Sequence, residues 1–350
     1  MNKKLFAQQL IAWYQAHQRA LPWRETKDPY KTWLSEIILQ QTRVAQGLPY
    51  YERFVAAFPS VKLLAEADEQ KVLRLWQGLG YYSRARNLHA CAKMIVREFN
   101  GRFPDTYAAL TKLPGVGPYT AAAIASFAFG ENVAVVDGNV FRVLARLFGM
   151  NVNIASPEGK KVFTAKANEL IDAAHPDLFN QSIMEFGAIH CTPVAPQCDG
   201  CIFSKTCVAN LRGLQKDLPV KEKKLTIRKR YFYYVSIRYK NKWLLKKREG
   251  KDIWHGLYDF FLVEHANKKN WRTAIAAHPE FVQGKLAAQL KHVLTHQQLF
   301  ATFIHVELKN EKELTSLSKR FALTAFTQKQ VEHLPKPVLI SKYFEPSMDR

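Results

Sequence analysis

Apolar residues over the first 212 positions recur at the three- and four-residue spacing of helices that bury one stripe. The pattern runs through residues 29–58, 69–80, 83–99, 120–129, 138–148 and 159–175. The N-terminal "MNKKLFAQQLIAWYQAH" adds an amphipathic helix with Phe6, Leu10 and Trp13 on one side. From Lys223 the texture changes. "RYFYYVSIRYKNKWLLKKREG" and "LYDFFLVEH" alternate partially in aromatic and β-branched residues, followed by helical "WRTAIAAH" and later by "LFATFIHVEL". The chain therefore reads as multidomain, with an all-α region over residues 1–212 and an α+β domain over 228–350. The stretch 213–227, rich in basic residues and without apolar periodicity, is the expected connector.

One joint in the helical part is unusually sharp. "TYAALTK" reads as helix, Leu113-Pro114 ends it, Gly115 and Gly117 permit positive φ, and Pro118 is a favoured first helical residue. Residues 106–130 thus predict a helix-hairpin-helix. Such a turn can simply pack two core helices. It can also bring backbone N–H groups and a positive helix end to a phosphate, gripping nucleic acid without reading its sequence.

Charge adds weight to the second possibility. The 350 residues carry a formal charge of +21, with the larger excess beyond residue 220. That field favours polyanions, nucleic acid first and anionic membrane second. No apolar run reaches spanning length uninterrupted, and the N-terminus has too many Gln and His for an export signal. A soluble, cytoplasmic chain is the expectation.

Four of the five cysteines, Cys191, Cys198, Cys201 and Cys207, form a C-x6-C-x2-C-x5-C run, while Cys91 sits alone on an apolar helix side. In a reducing compartment four thiols so close together argue for a metal rather than disulfides. Zinc and a 4Fe-4S cluster both suit four thiolates. The single short knuckle and long outer spacings favour the cluster. Cys91 is expected in the core.

Two acids stand out. Asp137 in "VAVVDGNVFRVLARLF" precedes an amphipathic helix and is expected to cap it; a carboxylate at a helix N-terminus stays ionised and could stabilise a developing cation. In "WLSEIILQQTR", Trp33, Leu34, Ile37 and Ile38 form the buried face, with Glu36, Gln40 and Arg43 on the opposite stripe, which by itself could be a solvated helix face.

These residues together carry a resemblance. "LPGVGPYT" through "VDGNVFRVLAR" resembles the helix-hairpin-helix and Gly/Pro-Asp signature of base-excision DNA glycosylases, and the cysteine spacing matches the cluster loop of the endonuclease III and MutY branch. "LPWRETKDPYKTWLSEIILQQT", "QGLGYYSRARNL" and "MEFGAIHCTP" resemble the MutY-type adenine glycosylases, strongly over residues 6–210. Residues 228–345 more weakly resemble that family's MutT-like, or Nudix-like, C-terminal domain, without the hydrolase motif.

The resemblance implies a monomeric enzyme that flips adenine out of duplex DNA, opposite 8-oxoguanine or guanine, and hydrolyses its glycosidic bond. It implies Glu36 as the acid that protonates the leaving base, Asp137 as the carboxylate that stabilises the sugar cation, and Asn139 as partner in that network. In lyase-competent relatives a Lys stands where this chain has Tyr119. Strand cleavage is therefore not expected, and Tyr119 supports the carboxylates by hydrogen bonding. By resemblance Gln41 and Leu79 wedge into the duplex, Tyr81 helps at the lesion, Arg24 and Glu185 line the adenine pocket, and Gly115 and Gly117 meet the backbone. Cys191, Cys198, Cys201 and Cys207 would hold one 4Fe-4S cluster in the 191–207 loop. The lesion-reading loop, usually Phe-Ser-His, is Leu294, Thr295 and His296 here. Two other readings remain at this point: a bifunctional oxidised-pyrimidine glycosylase of the endonuclease III type, and a non-catalytic iron-sulfur DNA-binding protein.

Overall fold

The computed structural model describes residues 2–222, 227–250 and 252–345. The chain divides into two compact units, one of residues 1–66 and 87–223, the other of residues 67–86 and 224–350.

The first unit is helical. It contains α1 (Lys3–His17), α2 (Pro29–Leu39), α3 (Val44–Ala57) and α4 (Val61–Glu66), and, after α5 (Glu69–Trp76) of the other unit, α6 (Ser83–Phe99), whose first residues precede the division. There follow α7 (Tyr107–Leu110), α8 (Pro118–Phe129), α9 (Gly138–Phe148), α10 (Pro157–Leu170), α11 (Pro176–Glu185) and α12 (Val208–Arg212). Phe6, Leu10 and Trp13 are buried as their spacing predicts, in a core with Val143, Leu144, Phe179 and Phe186. Cys91 is fully buried. Among the described residues no helix is long and apolar enough to cross a membrane.

The apolar pattern over 29–58 runs through a break it does not announce. Helix α2 stops at Leu39, Gln40 caps it, Gln41 takes a left-handed φ of 57°, and Arg43 caps α3. Gln40 and Arg43 therefore do not share a helical stripe with Glu36. The cause is close packing: a Cβ on Gly47 would lie 2.7 Å from Leu39, so α3 folds back directly onto the end of α2. That tertiary contact overrides helical propensity across the turn.

The hairpin forms between α7 and α8. Thr106 caps the short α7 and Pro118 opens α8. Gly115 has φ +74° and lies so close to Asn87 that a Cβ would sit 2.6 Å from the Asn87 Cβ, so both conformation and space require glycine. Gly117 differs from expectation. Its φ is −85°, and it serves as the α8 N-cap facing open space.

The second unit is a mixed sheet of β1 (Arg228–Tyr239), β2 (Lys242–Lys247), β3 (Tyr258–Asp259), β4 (Phe261–His265), β5 (Lys285–Leu294), β6 (Gln297–Glu307) and β7 (Thr324–Thr327). Its order is β3-β2-β1-β6-β5, with β4 also on β1 and β7 on β2. Strands β1 and β6 run parallel over their length, and β5 and β6 form a hairpin with Thr295 and His296 at its turn. The unit also contains α13 (Trp271–Ala274), α14 (Glu311–Phe321), α15 (Gln328–His333) and α16 (Val338–Phe344). "WRTAIAAH" is thus helical only over its first turn, and "LFATFIHVEL" lies mostly in strand β6, between β1 and β5. Helix α5 and the segment after it pack here: Gln77 bonds to Ser341, and Arg86 donates to the His255 carbonyl.

Candidate active site

A cavity of about 480 Å³ in the helical unit gathers Glu36, Tyr119, Asp137, Asn139, Arg24 and Glu185 in its wall. Helix α2 presents Glu36 inward, 7% exposed, rather than to solvent. The Tyr119 hydroxyl, on the first turn of α8, donates to Glu36 Oε2 at 2.7 Å. Burial lifts the Glu36 carboxyl to about 7; the tyrosine bond opposes that rise and the neighbouring Asp137 adds to it. A carboxyl of this kind keeps a proton near neutral pH and can deliver it.

Asp137 caps α9. Its Oδ1 accepts from the Asn139 and Val140 N–H groups, each at 2.8 Å, and its Oδ2 accepts from Asn139 Nδ2 at 2.7 Å. Burial raises this carboxyl too, against the cap bonds and the Arg142 charge. Three donors favour the charged form of Asp137, where Glu36 has one. The segment leading to it is held by Asn180, buried on α11, which bonds to the main chain of Val133 and Val135 and to Ser126 of α8.

Asn139 is fixed from behind. Arg142, one turn along α9, donates to Asn139 Oδ1 at 2.8 Å and to the Gly187 carbonyl at 2.6 Å. Gly187 lies in a single π-helical turn, Phe186–His190, that widens the end of α11. A Cβ there would come 2.7 Å from the Asn139 Cβ and 2.9 Å from its carbonyl oxygen. Only glycine lets the two segments meet. Opposite, Glu185 accepts from Arg19 N, Nε and Nη2 and from Arg24 Nη2. Burial opposes ionisation of Glu185, but the Arg19 and Arg24 bonds outweigh it and hold the carboxyl at about 2. Both its oxygens are engaged by arginine, so Glu185 shapes the pocket by fixing Arg19 and Arg24. Arg19, Arg142, Arg146, Asn180 and Gly187 carry no signal in the sequence beyond the i, i+4 pair of arginines on α9.

The four cysteines of the 191–207 loop line one cavity together with apolar Val143, Leu147, Phe186 and Phe203 and with Arg146 and His190. Burial drives the Cys201 thiol up to about 11, and the other three thiols add to the rise. Among the described residues no three such side chains are drawn together around a single ion. Four sulfurs spread around one small chamber fit a polynuclear centre better than one ion. Arg146 ties the loop to α9, donating to the carbonyls of Thr192, Gln215 and Leu218.

The residues expected at the lesion fall in two places. Gln41 is exposed in the helical unit, in its left-handed turn. Leu79, Tyr81, Leu294, Thr295 and His296 all line a cavity of about 450 Å³ within the second unit. Leu79 is buried there. Tyr81 is 44% exposed, also has positive φ, and its hydroxyl makes a short hydrogen bond with Thr295 Oγ1. Trp254, unforeseen, packs its ring against Phe232 and His292 on the wall of the same cavity.

Residues 34–173 match the family described as HhH-GPD superfamily base excision DNA repair protein, and residues 233–346 match the NUDIX domain family. The chain is 34% identical over 341 residues to the adenine DNA glycosylase of Buchnera aphidicola subsp. Baizongia pistaciae, covering 97% of this chain and 96% of that one. It is 42% identical over 222 residues to the adenine DNA glycosylase of Homo sapiens, covering 61% of this chain and 41% of the human one. Among solved structures a non-covalent endonuclease III–DNA complex superposes with a TM-score of 0.53 at 22% identity, covering 62% of this chain and all of that one, which speaks for the helical fold alone. With a helical glycosylase unit, a Nudix-like sheet and a relative matched almost end to end, this chain belongs to the adenine DNA glycosylase family.

Proposed function

We propose that the protein excises adenine lying opposite 8-oxoguanine or guanine in duplex DNA, hydrolysing the N-glycosidic bond and leaving the strand intact. The observation that carries the reading is the pair of carboxyls on one cavity, one buried and lifted to about 7, the other held by three donors. Glu36 protonates the departing base, which relieves adenine of its poor leaving-group charge. Asp137, positioned by Asn139, stabilises the cationic sugar as the bond breaks, much as paired carboxylates serve sugar hydrolases. Tyr119 stands where a lyase would need an amine, and its hydroxyl is committed to Glu36. The flipped base costs less to extrude from a mispair than from a matched pair. Gln41, Leu79 and Tyr81 are assigned to the opened duplex, Arg24 to the adenine pocket, and Thr295 with His296 to the damaged partner base. Gly115 and Gly117 give the hairpin backbone its approach to a phosphate.

Cys191, Cys198, Cys201 and Cys207 hold one 4Fe-4S cluster in this reading. Its charge would relieve the mutual repulsion of four thiolates, and its part is to order the loop from Thr192 to Lys205. The enzyme works as a monomer, and its substrate places it with the nucleoid in a bacterial cytoplasm.

A duplex with one adenine opposite 8-oxoguanine tests the whole reading. Strand breakage that appears only after alkali is expected for wild type, and none for Asp137→Asn, which keeps the cap because Asn caps nearly as well as Asp. Direct cleavage of a thymine glycol duplex with adenine left in place would move the protein to the endonuclease III type. Iron and sulfide content with absorption near 400 nm would support the cluster; colourless protein with zinc would reject it.

A further inference from the structure

The sheet of the second unit has a groove of about 790 Å³ that neither the excision chemistry nor the lesion cavity uses. Its floor follows from strand register. Tyr231 on β1 aligns with Phe300 on β6, and Phe300 with Lys291 on β5; Tyr233, Thr302 and Gln289 form the next row. Side chains two residues apart share a sheet face, so these rows lie on one surface. The Tyr231 and Phe300 rings stack 5.2 Å apart at 17°, both only part-buried, and the Lys291 ammonium lies over the Phe300 ring.

The rim is built as well as the floor. The buried Tyr233 hydroxyl donates to the Lys269 carbonyl at 2.8 Å and accepts from the Lys269 N–H at 2.7 Å. That double bond to one residue fixes the loop that carries Lys268 and Lys269, both exposed at the groove. Among the described residues no carboxylate lines it. The outer face of Tyr231, backed by Phe300 and set among lysines without an opposing acid, matches an unpaired base joined to phosphates. A duplex keeps its base faces stacked within the helix, so they cannot reach such a floor. A free mononucleotide would leave at least one side of the rim unused, because Lys291 and the Lys268–Lys269 pair stand on opposite edges.

The geometry points to a single-stranded DNA site on this sheet face, with a base on the outer face of Tyr231, Phe300 as the ring behind it, and backbone phosphates on Lys268, Lys269 and Lys291. The site is separate from the lesion cavity and does not depend on the excision reading.

Fluorescence anisotropy of the full chain with a labelled ten-nucleotide oligothymidylate tests it, beside single-turnover excision on a short blunt duplex. Replacing Lys268, Lys269 and Lys291 with Ala is expected to lower the slope of log affinity against log salt by about 2, as for three lost single-strand phosphate contacts. Excision should stay within twofold. Tyr231→Leu should weaken oligothymidylate binding about tenfold, as for loss of one stacked base. A control removing Lys312, Lys319 and Lys329, equally exposed on the same unit, should leave the slope near wild type. An equal loss in both lysine triples would show only diffuse attraction and overturn the site. So would ultraviolet crosslinking of a 5-iodouracil oligonucleotide that maps to peptides lacking Tyr231 and Phe300. If Tyr231→Leu fails to fold, the lysine comparison and the crosslink still decide.

Discussion

Replacing Glu36 with Gln should stabilise the protein at pH 8 and cease to do so in acid. The Glu36 carboxyl rises from 4.5 in an unfolded chain to about 7 in the fold, because burial penalises its charge. The folded state therefore holds more protons than the unfolded one between those values, and stability falls as pH climbs through that window. Above pH 7 the full penalty, about 3 kcal/mol, is present; below 4.5 it is absent. Gln has the same shape, no charge, and an oxygen to accept the Tyr119 hydroxyl. For a unit of this size, about 3 kcal/mol corresponds to roughly 8 °C in melting temperature.

The assay is a pair of melting curves, wild type and Glu36→Gln, at pH 4.5, 6 and 8. The gap should open progressively towards pH 8. In its proposed role as the acid, the same carboxyl should cost about tenfold in single-turnover excision for each pH unit above about 7. A variant no more stable than wild type at pH 8, or a rate flat to pH 9, would refute the account of Glu36 as a buried proton donor. The two readouts are independent, since the first concerns only folding and the second only the wild-type chemistry.

Tyr119→Phe removes a donor that favours ionised Glu36, so the alkaline limb of the rate profile should move to higher pH; an unmoved limb would remove Tyr119 from the control of that proton. Gly187→Ala should press on Asn139, lowering the excision rate at least tenfold while duplex affinity holds, read by single-turnover kinetics beside anisotropy. Glu185→Gln leaves Arg19 and Arg24 without their counter-charge. Its destabilisation should be about 3 kcal/mol at pH 7 and fade as pH falls from about 4.5 towards 2, where the wild-type carboxyl itself protonates, measured by urea unfolding at both ends.

What the sequence revealed and what it hid divide along physical lines. Apolar periodicity found the helices, because burial of one stripe is a local signal. It missed the break at Gln40–Arg43, which depends on Gly47 meeting Leu39 across the turn. The Asp137 cap and the hairpin at Gly115 were legible because caps and left-handed turns demand particular residues at particular places. Glu36 was visible as a candidate, yet its burial was not, since a polar residue on a helix reads as solvated until the packed neighbours are known. Asn180 and Arg142 bond to main-chain groups distant in sequence, and no residue pattern marks such partners. Nor does anything in "EQKVLRLWQGLGYYSRAR" announce that these residues pack with a sheet begun more than 140 positions later.

In the proposed mechanism the hidden residues bear directly on the two carboxyls. Glu36 and Asp137 are both raised by burial, and the Asp137 charge makes ionisation of Glu36 harder still. A symmetric pair would share its proton and leave neither acid committed. The asymmetry comes from the surroundings: Glu36 receives one donor, Tyr119, whereas Asp137 receives three, two of them from Asn139, whose side chain is itself held by Arg142. Arg142 in turn donates to the Cys191 carbonyl at 2.7 Å, so the same guanidinium reaches both the acid network and the first residue of the cysteine loop. Disorder in that loop would loosen Arg142, then Asn139, and weaken the donor set that favours the charged form of Asp137. The four cysteines can thus matter to proton placement without touching the substrate, through a chain of hydrogen bonds that ends on the carboxylate opposite the acid.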